Sequence, residues 1–115
     1  MDTDIQTITL LGHLITDAEP FSDKNGNDFI RFKMACMRAT PKGESKFTVY
    51  RILYYGSGFE NLKQGDQVYV FGDLDINAHI DKEGKVWLNN EVYALKISRG
   101  QTAVVKVERR KNSDD

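Results

Sequence analysis

Positively charged side chains and one tyrosine fall at alternate positions in two segments of the chain. Arg31 and Lys33 alternate with apolar residues in segment 29–38, and Arg51 and Tyr55 share one parity further on. Because successive side chains of a strand point to opposite faces, Arg31 and Lys33 lie away from the core if Ile30 and Phe32 form it. In the second segment the alternation alone allows either face to be buried, and Arg51 and Tyr55 lie outside if the strands form a barrel. Cations bind phosphate-like anions and a flat ring stacks on other rings, so the pattern predicts a binding surface. An ordinary solvated face is the alternative that the pattern leaves open.

A second set of candidate residues lies around a predicted turn later in the chain. Trp87 shares a face with Lys85, while His79 shares a face with Asp75 on the preceding strand. The tryptophan and the lysine extend the predicted binding surface, and His79 is a candidate beside them. Two alternatives stay open: Trp87 covers the core or a subunit contact, and His79 is an ordinary surface histidine.

Residue types that catalyse reactions or ligate metals are few and scattered. The single thiol, Cys36, allows no intrachain disulfide and no zinc site built from several cysteines. His13 and His79 lack metal-ligand spacing, and no glycine-rich phosphate loop leads into a helix. Asp73 and Asp75 share a strand face, where two surface carboxylates are far commoner than a catalytic pair. The sequence therefore predicts no catalytic residue, no metal and no cofactor, and hence a protein that is not an enzyme.

Composition limits the size of the protein and the kind of site it carries. The 115 residues, 40% of them hydrophobic, suit one domain with one core. The 16 Lys and Arg residues are balanced by 17 Asp and Glu residues, so any anion site is a local patch. The first four residues include two aspartates and no basic residue, and no stretch approaches the ~20 apolar residues of a membrane span. These features predict a cytoplasmic protein without a membrane segment.

Alternation of apolar and polar residues dominates the chain and predicts an all-β protein. Turn formers, among them Pro20, divide it into five predicted strands at 7–15, 29–38, 47–55, 67–80 and 86–97. The last two strands form a long hairpin in which Gly72 marks a bend or bulge. Residues 59–62 leave room for a short helical turn between the third and fourth strands. This order predicts a five-stranded, partly open Greek-key barrel of the OB type.

The same alternation predicts which side chains form the core. Ile76 is expected to face inward on the fourth strand and Leu88 on the fifth. Tyr50 and Tyr54 are expected in the core or at a dimer interface, and Cys36 as a small buried side chain.

Four blocks of sequence follow one another at a particular spacing. They are Ile8-Thr9-Leu10-Leu11-Gly12-His13-Leu14 with Asp17-Ala18-Glu19-Pro20, Tyr50-Arg51-Ile52-Leu53-Tyr54-Tyr55-Gly56, the segment 63–74, and the turn at 81–84 with Asn90-Glu91-Val92. In this order they resemble the strands of bacterial single-stranded-DNA-binding proteins over roughly residues 5–97. The resemblance implies an OB-fold domain at residues 1–100. The remaining segment 101–115, which ends in a run of charged residues, is expected to be a short, mobile extension.

The resemblance also implies a function and a set of partners. Members of that family bind single-stranded DNA without sequence preference in replication, recombination or repair, stacking bases on aromatic rings while Lys and Arg follow the phosphates. We therefore assign DNA-binding roles to Arg31, Lys33, Arg51, Tyr55, His79, Lys85 and Trp87. A homo-oligomer, dimer or tetramer, is expected through the first strand and outward Leu11 and Ile15. Replication or repair proteins are expected partners, and the bacterial nucleoid is the expected location.

Several positions depart from the family pattern. Tyr55 keeps a stacking ring, whereas Thr40, Val49 and His79 stand where tryptophans commonly occur. A typically basic strand is replaced by the acidic and neutral segment 73–77, and the acidic, hydrophobic C-terminal tip is missing. An alternative function is therefore an OB-fold protein-assembly module, primosome-like or a mobile-element accessory, with weak or no nucleic-acid binding.

Overall fold

The computed structural model describes residues 6–100, which form six β-strands and no helix. The strands are β1 (Thr7–Leu14), β2 (Glu19–Ser22), β3 (Asp28–Ala39), β4 (Ser45–Tyr54), β5 (Gln67–Ile80) and β6 (Val86–Arg99). The all-β prediction is confirmed, and the predicted extension at 101–115 lies outside the described residues. Within this described part, no helix is long and apolar enough to cross a membrane.

Five of the strands close a barrel, as the sequence predicts. They follow the order β1-β5-β6-β4-β3, and pairing of β1 with β3 at His13 and Leu14 completes the ring. β4 and β6 run parallel, and the other neighbours run antiparallel. A Cβ at Gly12 would collide with the carbonyl oxygen of Ala35, so glycine permits the close approach of β1 and β3.

A sixth strand, β2, is an addition to the predicted barrel. It pairs with β3 through partners such as Phe21 and Phe29, and it lies at the edge of the sheet. Pro20 is therefore part of a strand and not only a turn former. Proline has no N–H to donate, which an edge strand tolerates. The short segment has no apolar alternation, so the sequence carries no signal for it.

Alternate residues of the barrel strands, together with Leu62 from the loop between β4 and β5, fill one core. The buried cluster consists of Leu10, Leu14, Ile30, Phe32, Met34, Ile52, Leu62, Val68, Val70, Val92 and Ile97. Tyr50, Tyr54 and Cys36 are half-buried against this cluster. The two tyrosines thus belong to the core, and Cys36 is less buried than predicted.

A bulge in the β5–β6 ladder confirms the irregularity predicted at Gly72. Phe71 pairs with Lys96 but Gly72 pairs with Ala94, so Leu95 is the extra residue. A Cβ at Gly72 would collide with the carbonyl oxygen of Tyr93. The bulge shifts the parity of β6, which lets both Val92 and Ile97 face the core.

The predicted helical turn at 59–62 is absent. Leu62 N–H donates to Phe59 C=O at 3.3 Å, which closes a single turn. The carbonyl of Leu62 then accepts from Ala18 N–H, and its side chain is fully buried. Since so short a segment makes at most one helical hydrogen bond, the tertiary anchoring of Leu62 determines its conformation.

The predicted inward positions of Ile76 and Leu88 are also wrong. Their side chains are 52% and 66% exposed. The β5–β6 hairpin continues past the barrel, because β4 pairs with β6 only from Arg51 to Tyr54. Side chains on the inner face of this extension therefore have no barrel beneath them.

Candidate functional site

The three predicted cations on β3 and β4 lie together on the outer face of the barrel. Lys33 and Arg51 are cross-strand partners, and Arg31 lies two positions before Lys33 on the same face. They line a groove of about 550 Å³ against the loop that follows β1. We call Arg31, Lys33 and Arg51 the cationic groove.

The three cations differ in whether a carboxylate already forms an ion pair with them. Arg51 donates through Nη1 to Glu91 Oε2 at 3.2 Å, and both side chains are partly buried. Within residues 6–100, neither Arg31 nor Lys33 has a carboxylate oxygen within 4 Å. The groove therefore offers two cations without an ion pair among these residues and one that Glu91 already partly neutralises. Asp17 and Glu19 also line the groove, and Glu19 lies opposite Arg31 on β2, so the two free cations outweigh this negative charge only locally.

Tyr55 is the exposed end of a stack of three rings, which we call the aromatic ladder. Its centroid lies 4.9 Å from that of Phe29, and Phe29 lies 5.7 Å from Phe21. The ladder crosses from the end of β4 to β3 and to the edge strand β2. The guanidinium carbon of Arg31 lies 4.2 Å from the Phe21 ring centroid, so the ladder and the cationic groove are continuous.

A carboxylate in the β2–β3 turn fixes the hydroxyl end of Tyr55. The Tyr55 hydroxyl donates to Asp23 Oδ2 at 3.3 Å, while Asp23 Oδ1 accepts from the backbone N–H groups of Asn25 and Asn27. The hydrogen bond from Asn27 is the main cause that lowers the pKa of Asp23. Desolvation and the nearby Asp23 charge raise the pKa of Tyr55. At neutral pH the pair is thus a neutral donor and a charged acceptor.

Phe21 and Phe29 are not among the residues that the sequence predicts for the site. Phe29 has the same parity as Arg31 and Lys33, so the predicted strand at 29–38 already places it on the same face. Phe21 lies in β2, for which the sequence has no strand pattern. Its place in the site depends on the pairing of β2 with β3.

The second set of predicted residues lies on the β5–β6 extension. His79 and Trp87 are direct cross-strand partners, and Lys85 Nζ lies 4.3 Å from the Trp87 ring centroid. Trp87 Nε1 donates to Asp81 Oδ2 at 2.9 Å, and the side chain is 48% exposed. This bond is the first cause that lowers the pKa of Asp81. We call His79, Lys85 and Trp87 the hairpin group.

The hairpin group is separate from the ladder, whereas the cationic groove lies between them, since Arg51 pairs with Glu91 on β6. Tyr54 pairs with Ala94, and Trp87 precedes Ala94 on β6 by seven residues. At ~3.3 Å per residue this places Trp87 about 23 Å from the Tyr55 end of the sheet. Trp87 does not cover the core, because it lies on the part of β6 that has left the barrel.

Acidic residues limit the cationic groove on its β5–β6 side. Asp75 lies opposite Glu91 and Asp73 lies opposite Tyr93, all on the outer face. Tyr93 donates to Glu91 Oε1 at 3.5 Å. We call Asp73, Asp75 and Glu91 the acidic border. Within residues 6–100, no group of three His, Cys, Asp or Glu residues lies together as metal ligands do.

Comparison with known proteins gives one family and a set of similar folds. The model of the Single-strand binding protein family matches residues 5–100. The small single-stranded DNA-binding protein from Streptomyces coelicolor superimposes with a TM-score of 0.72 at 16% identity, over 88% of this chain and 99% of that one. The Plasmodium falciparum SSB in complex with ssDNA superimposes with a TM-score of 0.67 at 17% identity, with the same coverage. Curated protein sequences give no significant match. At these identities the solved structures confirm the barrel, and the family match covers all of the described residues.

Proposed function

This chain belongs to the single-strand binding protein family, and we propose that it binds single-stranded DNA along the cationic groove and the aromatic ladder. The observation that carries the proposal is the position of Arg31 and Lys33 next to a ring stack that ends at Tyr55. Within the described residues, neither cation has a carboxylate oxygen within 4 Å. Cations attract phosphates and exposed rings stack with bases, so both parts of a nucleotide have a partner on this surface.

Binding of this kind does not depend on base sequence. Every nucleotide has the same phosphate, and every base has a face that stacks on a ring. A surface of cations and rings therefore supports a role in holding DNA single-stranded during replication, recombination or repair. The proposed activity is binding without a chemical step.

The hairpin group supplies a second contact in this proposal. Trp87 offers an exposed ring with a fixed indole N–H, and Lys85 adds a cation beside it. His79, directly opposite Trp87, completes the surface that a strand would meet on the hairpin. A strand that reaches both regions would gain a second stacking interaction.

Self-association is part of the proposal and uses a different face. Leu11 is 46% exposed and lies opposite the exposed Tyr69 on β5, while Phe71 and Leu95 are exposed nearby. Exposed apolar side chains that adjoin one another are typical of subunit contacts. Ile15 is half-buried beside the cationic groove, so Leu11 is the better candidate of the two predicted residues. We propose a homo-oligomer of this kind in the bacterial cytoplasm, associated with the nucleoid and with replication or repair proteins.

Fluorescence anisotropy tests the binding proposal. The probe is a labelled dT oligonucleotide of about 20 nucleotides, longer than the roughly 4 to 16 that one OB barrel covers. The full chain should raise its anisotropy at low salt. Replacing Arg31 and Lys33 together by Gln should lower the slope of log affinity against log salt by about 1.4, since each phosphate contact contributes about 0.7.

The matched control is Lys96→Gln, which removes one charge from β6 beside Phe71, away from the groove. This variant should retain the slope of the unmodified protein. No rise in anisotropy at high protein concentration and low salt would overturn the proposal and favour the protein-assembly alternative. If Lys96→Gln lowers the salt slope as much as the double substitution does, the DNA does not bind specifically at Arg31 and Lys33.

A further inference from the structure

The rings of the aromatic ladder are already stacked on one another before any ligand is present. Phe29 lies between Phe21 and Tyr55, with interplanar angles of 23° and 29°. Both faces of Phe29 are therefore occupied, and a base cannot stack on it without separating the ladder. Phe21 is in a similar position, with Phe29 beside one part of its ring and the Arg31 guanidinium over its face.

Tyr55 differs from the other two rings because it ends the ladder. Phe29 is its only stacked ring partner among residues 6–100, and 47% of the residue is exposed. Asp23 fixes its hydroxyl, so the ring is restrained both at its tip and on one face. The opposite face has no stacked ring among these residues, so it is the face on which a base would stack.

Arg31 is restrained in a comparable way at the other end of the ladder. A guanidinium that lies over an aromatic ring directs its N–H groups outward along the ring plane. Those N–H groups then remain free to bind a phosphate in a bidentate manner. The Phe21 ring lies on the edge strand β2, so the position of Arg31 depends on an element outside the barrel.

We propose that Phe21 and Phe29 are positioning residues for single-strand binding, Phe29 fixing the Tyr55 ring to receive an unpaired base and Phe21 fixing the Arg31 guanidinium to receive a phosphate. This inference rests on the proposed function and adds residues to the same site. Groups held in their bound geometry lose less conformational entropy when the ligand arrives. The two phenylalanines thus increase the affinity for DNA although neither of them contacts the base.

A double-mutant cycle tests the action of Phe29 through Tyr55. Phe29→Leu should weaken binding of the dT oligonucleotide by about tenfold, within the range of about 5 to 150 that one stacked base contributes. In a protein that already carries Tyr55→Leu, the same substitution should change affinity less than twofold, because the positioned ring is gone. Phe29→Tyr keeps a ring in the ladder and should restore affinity to near that of the unmodified protein. Equal losses in both backgrounds, or no rescue by tyrosine, would overturn the proposal for Phe29.

Salt dependence tests the action of Phe21 through Arg31. Phe21→Leu should lower the salt slope by about 0.7, the loss of one phosphate contact, whereas Phe29→Leu should leave the slope unchanged. In an Arg31→Gln background, Phe21→Leu should cause no further loss of slope. An unchanged slope in Phe21→Leu would contradict the positioning of Arg31. Phe21 lies on a four-residue edge strand, so this variant remains informative if Phe29→Leu does not fold.

The outcomes separate this inference from the function on which it rests. Binding by the unmodified protein together with no effect of either leucine variant would retain the proposed function and overturn the inference. Absence of binding by the unmodified protein would overturn both. Thermal melting of every variant identifies a loss of affinity that comes only from unfolding.

Discussion

The turn before β3 and the turn before β6 have the same construction, and each positions an aromatic ring. Asp23 and Asp81 begin the two turns, and glycines with φ of 85° and 83° follow three residues later. In each turn the aspartate carboxylate accepts two backbone N–H groups and one hydrogen bond from a ring, Tyr55 in the first case and Trp87 in the second. The turn between β3 and β4 closes in the same way with Thr40 in place of aspartate. The described contacts of Thr40 include no bond to a ring.

The two aspartate turns differ in what lies beneath the ring. Tyr55 packs against Phe29 at the edge of a closed barrel, so it is restrained on two sides. Trp87 stands on the extension, where the nearby Leu88 and Ile80 are both 66% exposed and its main ring contact is the flexible Lys85. One turn design therefore gives a rigid ring on the barrel and a less restrained ring on the hairpin. Because fixing a mobile ring costs entropy, we expect the barrel ring to contribute more to binding.

The largest expected effect is the loss of Tyr55. Tyr55→Ala should weaken binding of a dT oligonucleotide of about 20 nucleotides by about 20-fold, and Trp87→Ala by about fivefold, within the ~1 to 3 kcal/mol reported for a stacked base. Anisotropy titrations at one fixed salt concentration measure both. A greater loss for Trp87→Ala would reverse the comparison and make the hairpin the principal contact.

Oligonucleotide length should separate the two regions next. A dT oligonucleotide of about 3 nucleotides should occupy the ladder region alone, because even fully extended it is shorter than the roughly 23 Å that separate the Tyr55 end of the sheet from Trp87. Trp87→Ala should then leave its affinity within about twofold, while reducing that of the longer probe. Trp87 is the single tryptophan, so its fluorescence reports hairpin occupancy directly. If the short oligonucleotide quenches Trp87 fluorescence when only a small fraction of the protein has bound it, the hairpin group binds DNA before the ladder does.

A smaller effect of opposite sign is expected from the acidic border. Glu91→Gln removes the carboxylate that pairs with Arg51 and should strengthen binding by about two- to fivefold, since a partly exposed ion pair contributes ~1 kcal/mol or less. Lys96→Gln is the comparison variant, because it removes a positive charge from β6 where Glu91→Gln removes a negative one. Weaker binding by Glu91→Gln would mean that Glu91 orients Arg51 toward phosphate, and isothermal titration would distinguish the two directions.

The sequence predicts the barrel well because its signals are local and repeated. Alternation identifies β1, β3, β4, β5 and β6, and Gly72 identifies the bulge. The site is predicted less completely, since it depends on contacts between strands. Phe21 joins the site because β2 pairs with β3, and the sequence of β2 has no pattern that predicts a strand. The charge of Arg51 is partly neutralised by Glu91, which lies 40 residues later in the chain. Ile76 and Leu88 are misplaced because alternation gives the face of a side chain and not whether anything covers that face.

The smallest expected effect is that of pH, because both aspartate contacts persist across the ordinary range. The pKa values of Asp23 and Asp81 are lowered from 3.8, so each carboxylate stays charged above that value, and its contribution is lost only on acidification below it. The raised pKa of Tyr55 keeps its hydroxyl protonated, and able to donate, up to at least 10.0. None of these three groups changes its protonation state between about pH 5 and 8. They should therefore cause no change in the affinity for DNA over that range at constant ionic strength. The control is Asp23→Asn, which removes the titrating group near Tyr55. If the unmodified protein shows a pH-dependent affinity over that range that this variant lacks, then Asp23 titrates near neutrality. The ladder would in that case be less rigid than its contacts indicate.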